Sequence, residues 1–230
     1  MSMFLGSARL SLVAASILTI CFAHAFCQTA PLDYVPNLPY TAQIVQMDIQ
    51  TQANGTHVQR ETKLVEARDS QGRTWIETFD SPDASRPAMV NLYVPQRRQF
   101  IQLSPWQKTA RVMTFPGTGP IPTHGLNPNA VKTTVEHLPG QIIHGIYAEG
   151  TRTTQVITAD GGKGSGVVNV EETWVSPTLK VVVLYKFTST APGSDQTTAE
   201  ILRLDRNEPD AALFEIPADY TIMKATAGPQ

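Results

Sequence analysis

The chain has 230 residues, 41% of them hydrophobic and 17% charged, which is the size and make-up of one large β domain with an ample core. Its 18 Lys and Arg stand against 20 Asp and Glu, for a formal charge of −2, and no basic block is long enough to track a phosphate backbone, so nucleic acid is excluded as a partner. Of its two cysteines, Cys21 lies in a leader-like segment, which leaves Cys27 alone and excludes an internal disulfide from the mature chain.

In chain order, Arg9 followed by the apolar run LSLVAASILTICF at 10–22 and the small-x-small triplet Ala23-His24-Ala25 reads as a signal peptide over 1–25. The run is short of the roughly 20 apolar residues that span a bilayer, so cleavage before Phe26, with no transmembrane anchor remaining, is the expectation. Neither Cys21 nor Cys27 follows a small residue, as a lipoprotein signal wants. The mature chain then carries a formal charge of −3, since only Arg9 is lost with the leader and 17 basic residues face 20 acidic ones. Three prolines between 26 and 39 suit an extended arm.

A single β domain is expected over 40–223, with a frayed tail at 224–230. Residues 40–52 alternate, with Val45, Met47 and Ile49 on one face and Gln46, Asp48 and Gln50 on the other, as in a half-buried strand. Asn54-Gly55 is a strong hairpin signal, and a return strand follows near 56–68. Further strands are expected at 73–80, where Trp75, Glu77 and Phe79 share a side, and at 90–94, 99–103 and 110–115. The stretch PGTGPIPTHGLNPN at 116–129 reads as a long loop inside one sheet, and 130–138 is ambiguous between a short helix and a strand. Residues 141–187 form the spine: strand, tight turn, strand, glycine-rich loop, strand, turn and strand. Val181 to Leu184 is apolar on both faces, so something must cover the sheet on both sides there. A strand at 197–204 and a helical turn at 211–214, with Leu213 and Phe214 as a plug, complete the domain.

Few residues advertise chemistry. His57, His124, His137 and His144 show no ligand spacing, although His137 and His144 flank a Pro139-Gly140 turn; no metal and no cofactor is expected. The run DGGKGSG at 160–166 lacks the P-loop spacing, and Ser165 is in no nucleophile elbow. Glu171 and Glu172 point to opposite faces of a strand and cannot form a dyad; an inward Glu172 needs a partner, either Arg152 or Arg203, in a structural ion pair. An enzymatic reading would need Glu172, Arg152 and His144 on neighbouring strands. Among the strand aromatics, Trp75, Tyr93, Phe100, Trp174 and Tyr185 are the candidates for lining a concave apolar face, with ordinary core packing as the competing reading.

The segments GIYAEGTRTT, VEETWVSPTLKVVVL and RNEPDAALFEIPADY, with RDSQGRTWIE at 68–77, resemble a group of secreted proteins abundant in acidobacterial genomes, a group that carries no biochemical assignment. In architecture the chain is similar to the half-barrels of periplasmic lipoprotein carriers (LolA-like) and envelope-stress sensors (RseB-like), which hold acyl chains in an apolar concavity. That likeness implies a mainly β fold: a curved antiparallel sheet partly covered by one or two short helices and a long loop. It transfers no site residue. The expected function is an exported, non-enzymatic protein, periplasmic or extracellular, that binds a lipid, an acyl chain or a lipoprotein segment. The alternative is an envelope interaction module with a packed core, an envelope protein as partner and no ligand.

Overall fold

A computed structural model describes residues 34–52, 54–114, 131–158, 166–191 and 195–224. The expected leader, most of the expected arm, the expected loop at 116–129 and nearly all of the 160–166 run lie outside the described residues. The strands are β1 (Tyr40–Thr51), β2 (His57–Arg68), β3 (Thr74–Phe79), β4 (Met89–Val94), β5 (Gln99–Ser104), β6 (Thr109–Thr114), β7 (Val131–Ile143), β8 (Ile146–Ile157), β9 (Val167–Ser176), β10 (Val181–Ser189), β11 (Asp195–Asp205) and β12 (Thr221–Lys224). They form one open, curved sheet of twelve strands in the order β12-β6-β5-β4-β3-β2-β1-β11-β10-β9-β8-β7. Two antiparallel meanders, β1 to β6 and β7 to β11, thus meet at the β1–β11 pair.

The expected curved, mainly β architecture is present, with three differences. The sheet is mixed, because β12 runs parallel to β6; of the tail expected to be frayed, 225–230 lie outside the described residues. Of the ambiguous segment 130–138, the described residues 131–138 are strand, continuing as β7 through a register shift at Pro139-Gly140; the turn is instead His144-Gly145, at φ 47° and 80°, a pair of left-handed residues that matches the twist of a two-residue hairpin. The helical cover is reduced to 3-10 turns at Pro95–Arg97 and Ala211–Phe214.

Cross-strand partners share a face, so the register sorts the side chains into a Tyr40 side and a Trp75 side. In β1 the buried residues are Tyr40, Ala42, Ile44 and Gln46, while Val45, Met47 and Ile49 are half-buried on the opposite side. The expected alternation is present, and the more deeply buried face is the one that carries Gln46. Buried Gln46 donates its amide to Asp48 Oδ2 at 2.9 Å, and Thr197 Oγ1 donates to Asp48 Oδ1 at 2.7 Å, while Gln46 Oε1 accepts no hydrogen bond from the described residues.

On the Trp75 side, one cluster gathers Trp75, Val90, Leu92, Ile101, Leu103 and Ala110 from β3 to β6. The C-terminal segment covers it. Asp210 accepts a hydrogen bond from the Ala212 amide at 2.9 Å, which caps the 3-10 turn and delivers Phe214, 2% exposed, into the cluster.

The second cluster surrounds β10, whose Val181 to Tyr185 are all buried. Tyr185 shares the Tyr40 side with Ile44, Ala199 and Ile201, whereas Leu184 pairs with Trp174 on the other, near Ile146 and Ala148. The buried residues packed with this run come from strands and the β9–β10 turn, with no helical residue among them. On the Tyr40 side, Arg68 of β2 donates to the carbonyls of Leu179 and Lys180 in the β9–β10 turn. Three strand steps of about 4.8 Å would hold β2 and β10 roughly 14 Å apart on a flat sheet, so this contact requires a curl toward the Tyr40 side. On the Trp75 side, His144 Nε2 at the β7–β8 tip lies 3.1 Å from Glu200 Oε2 on β11.

Candidate functional site

The register places one residue from each of six strands in a row on the Tyr40 side: Met113, Phe100, Tyr93, Thr74, Arg68 and Tyr40. Met113, Phe100 and Tyr93 are half-buried, while Arg68 and Tyr40 are buried. A half-open apolar stretch therefore runs into a buried polar end. The next row holds Arg111, Gln102, Asn91, Ile76 and Glu66, and there the Asn91 Oδ1 atom is buried and accepts no hydrogen bond from the described residues.

The polar end is built around a carboxyl held away from water. Burial raises the Glu66 pKa above its ordinary value, and the Tyr40 hydrogen bond and the Arg68 charge pull it only partly back. Tyr40 OH donates to Glu66 Oε1, and its own pKa is pushed up by burial and then by the Glu66 charge. Arg68 stacks 4.6 Å above the Tyr40 ring and donates from Nε to Leu38 O at 2.9 Å and from Nη1 to Lys180 O at 3.2 Å. Nη2 goes to Leu179 O. This guanidinium serves three backbone carbonyls from distant parts of the chain, so its work is structural.

The five aromatic candidates do not line one surface. Tyr93 and Phe100 are direct cross-strand neighbours, and Tyr185 is on the same side but buried at 4% exposure in the β10 cluster, where burial raises its phenol pKa. Trp75 and Trp174 are on the opposite side, in separate clusters. The Trp174 ring lies against Gly150, its cross-strand partner: a Cβ placed there would come within 2.8 Å of three ring carbons. Missing from the expectation were Met113, Ile76 and Asn91; each is visible only once the register is known, because no spacing within one strand reveals who stands opposite.

Arg152 bridges two carboxylates, with Nη2 2.7 Å from Glu172 Oε1 and Nη1 3.0 Å from Glu136 Oε2. Those hydrogen bonds, Glu172 first, raise the Arg152 pKa. Arg203 takes no part, since β10 stands between its strand and β9. His144 pairs with Glu200 and not with Glu172, so the enzymatic triplet is not assembled. His137 faces Thr151 in the register, and the expected approach of His137 and His144 across a Pro139-Gly140 turn gives way to continuous strand. Among the described residues no three His, Cys, Asp or Glu gather within metal-binding reach.

No family model and no curated protein matches the chain. Among solved structures, it is similar to an uncharacterized conserved protein from Thermus thermophilus, at 9% identity and TM-score 0.46, over 82% of this chain and 91% of that one. It is similar to MucB at 12% identity and TM-score 0.42, over 80% of this chain and 58% of that one. A LolA superfamily protein from Nitrosomonas europaea matches at 7% identity and TM-score 0.35, over 84% and 97% of the two chains.

Proposed function

We propose that this is an exported, non-enzymatic protein that receives a hydrophobic ligand, a lipid acyl chain or the acylated segment of a lipoprotein, on the Tyr40 side of β4 to β6. One observation carries the reading: Tyr93, Phe100 and Met113 stand in register and only half-buried on the side toward which the sheet curls. An apolar strip of this kind suits a flexible alkyl chain, and Gln102 and Arg111 in the next row offer polar contacts at its margin. The leader at 1–25 and the resemblance to secreted acidobacterial proteins support export to the periplasm or beyond.

Of the five aromatic candidates, Tyr93 and Phe100 are the ones this reading keeps as contacts. Trp75, Trp174 and Tyr185 support the strip from within the two cores.

The test is native mass spectrometry of the chain purified without detergent from an exporting host, beside organic extraction of the same sample. Extra mass that extraction removes, identified as lipid and reduced about tenfold in occupancy by Phe100→Ala, is the expected result. A bare mass that does not shift when fatty acids or phospholipids are added overturns the reading and leaves an interaction module whose partner is an envelope protein.

A further inference from the structure

β7 is the long free edge of the sheet. Among the described residues it pairs with β8 alone and is 13 residues long, whereas the opposite edge, β12, has four. Proteins blunt such edges with proline, bulges and charge, because unpaired amides and carbonyls template another strand. Here Pro139 and Gly140 sit together at the register shift, so the blunting is confined to one end. From Val131 to Leu138 the ladder is regular, and residues 132–137 are exposed.

This half of β7 is complementary to itself. When it meets an antiparallel copy about a twofold axis through Thr134, Lys132 stands opposite Glu136 of the partner subunit, and Glu136 opposite the partner's Lys132. Thr133 then faces the partner's Val135. An axis through Thr133 or Val135 leaves both charges facing uncharged residues, and one through Lys132 or Glu136 sets like charges together. Charge therefore selects a single register. Lys132, Thr134 and Glu136 share the Trp75 side with Arg152, which already bonds Glu136 at 3.0 Å, so the added lysine extends an existing run of alternating charge.

We infer that β7 pairs with β7 of a second copy of this chain, antiparallel about Thr134, joining two twelve-stranded sheets into one. Sedimentation of the full chain should show a reversible dimer. Lys132→Glu sets two carboxylates face to face and should raise the dimer dissociation constant at least about tenfold, and Lys132→Glu combined with Glu136→Lys should restore it, since Arg152 keeps Glu172 in that variant. With Cys21 and Cys27 replaced by serine, Thr134→Cys should form a disulfide-linked dimer under mild oxidation, because residues on the axis face each other at about 5 Å between Cα atoms. Lys132→Cys, placed opposite a glutamate, should not. The inference is overturned by a chain that stays monomeric at about 100 μM, a dimer insensitive to Lys132→Glu, or equal cross-linking at both positions. A monomer would leave this edge to an extended peptide of another protein.

Discussion

Glu66 and Arg68 are two residues apart on the same side of β2, and the same burial acts on them through different partners. Arg68 is matched by backbone oxygens, whereas Glu66 has Tyr40 and a neighbouring charge. Because burial holds the Glu66 proton to higher pH in the folded chain than in the unfolded one, the folded state binds more protons as the pH rises above 4.5. Stability linked to this group is therefore greatest below that value and falls as the pH climbs through the raised pKa. Glu66→Gln should flatten that decline, as read from urea midpoints taken from weakly acidic to neutral pH; an unchanged slope would show that Glu66 is not its source. Gly150 sets a second residue-scale expectation. Any side chain there meets the Trp174 ring at 2.8 Å, and that ring is itself packed in the β10 cluster. Gly150→Ala should cost about 1–3 kcal/mol in equilibrium unfolding, the range for overpacking a filled site.

At the scale of elements, hairpin chemistry and alternation were sufficient for most of the meander. The Asn54-Gly55 turn forms, with Gln52 N donating to Thr56 O at 2.8 Å across it, and the strand limits fall close to those expected. What alternation could not settle was which side of β1 faces in. Both sides of that strand mix polar and apolar residues, and the partners of the buried polar ones lie far along the chain: Thr197, 149 positions from Asp48, shares its carboxylate with Gln46. Nor could it distinguish one long β7 from two pieces, since Pro139 in sequence looks like a break and in the sheet is a bulge. The candidate site was half legible for the same reason: Tyr93 and Phe100 can each be placed on a strand, but their adjacency is a property of the pair. The C-terminal cover offers a test of its own. Phe214 fills the β3–β6 cluster, and Arg73 fastens the same segment by lying 4.8 Å over its ring while bonding Asp69 at 2.6 Å and Glu215 at 3.2 Å. Phe214→Ala should lower stability by about 3–5 kcal/mol in urea unfolding. A loss below about 1 kcal/mol would mean that the segment is not a structural cover.

The whole molecule is held together by few long-distance joins. Each meander is built from local hairpins, and the two meet where Thr41 pairs with Asp205. Arg68 adds the curl through the β9–β10 turn, and β12 returns to the far edge beside β6. The seam between β1 and β11 governs the order of events in time. A chain made from its amino end completes β1 early, with β2 on one flank and nothing on the other until β11, more than 140 residues later, has emerged. Throughout that interval the first meander carries an open central edge beside Tyr40, Ile44 and Gln46, residues that end up among the most deeply buried of the molecule. Pairings separated so far along the chain close slowly, and exposed strand edges invite misassociation while they wait. Folding that waits until the last strands are available therefore suits this topology better than folding during synthesis, and β1 is the strand whose edge stays open longest.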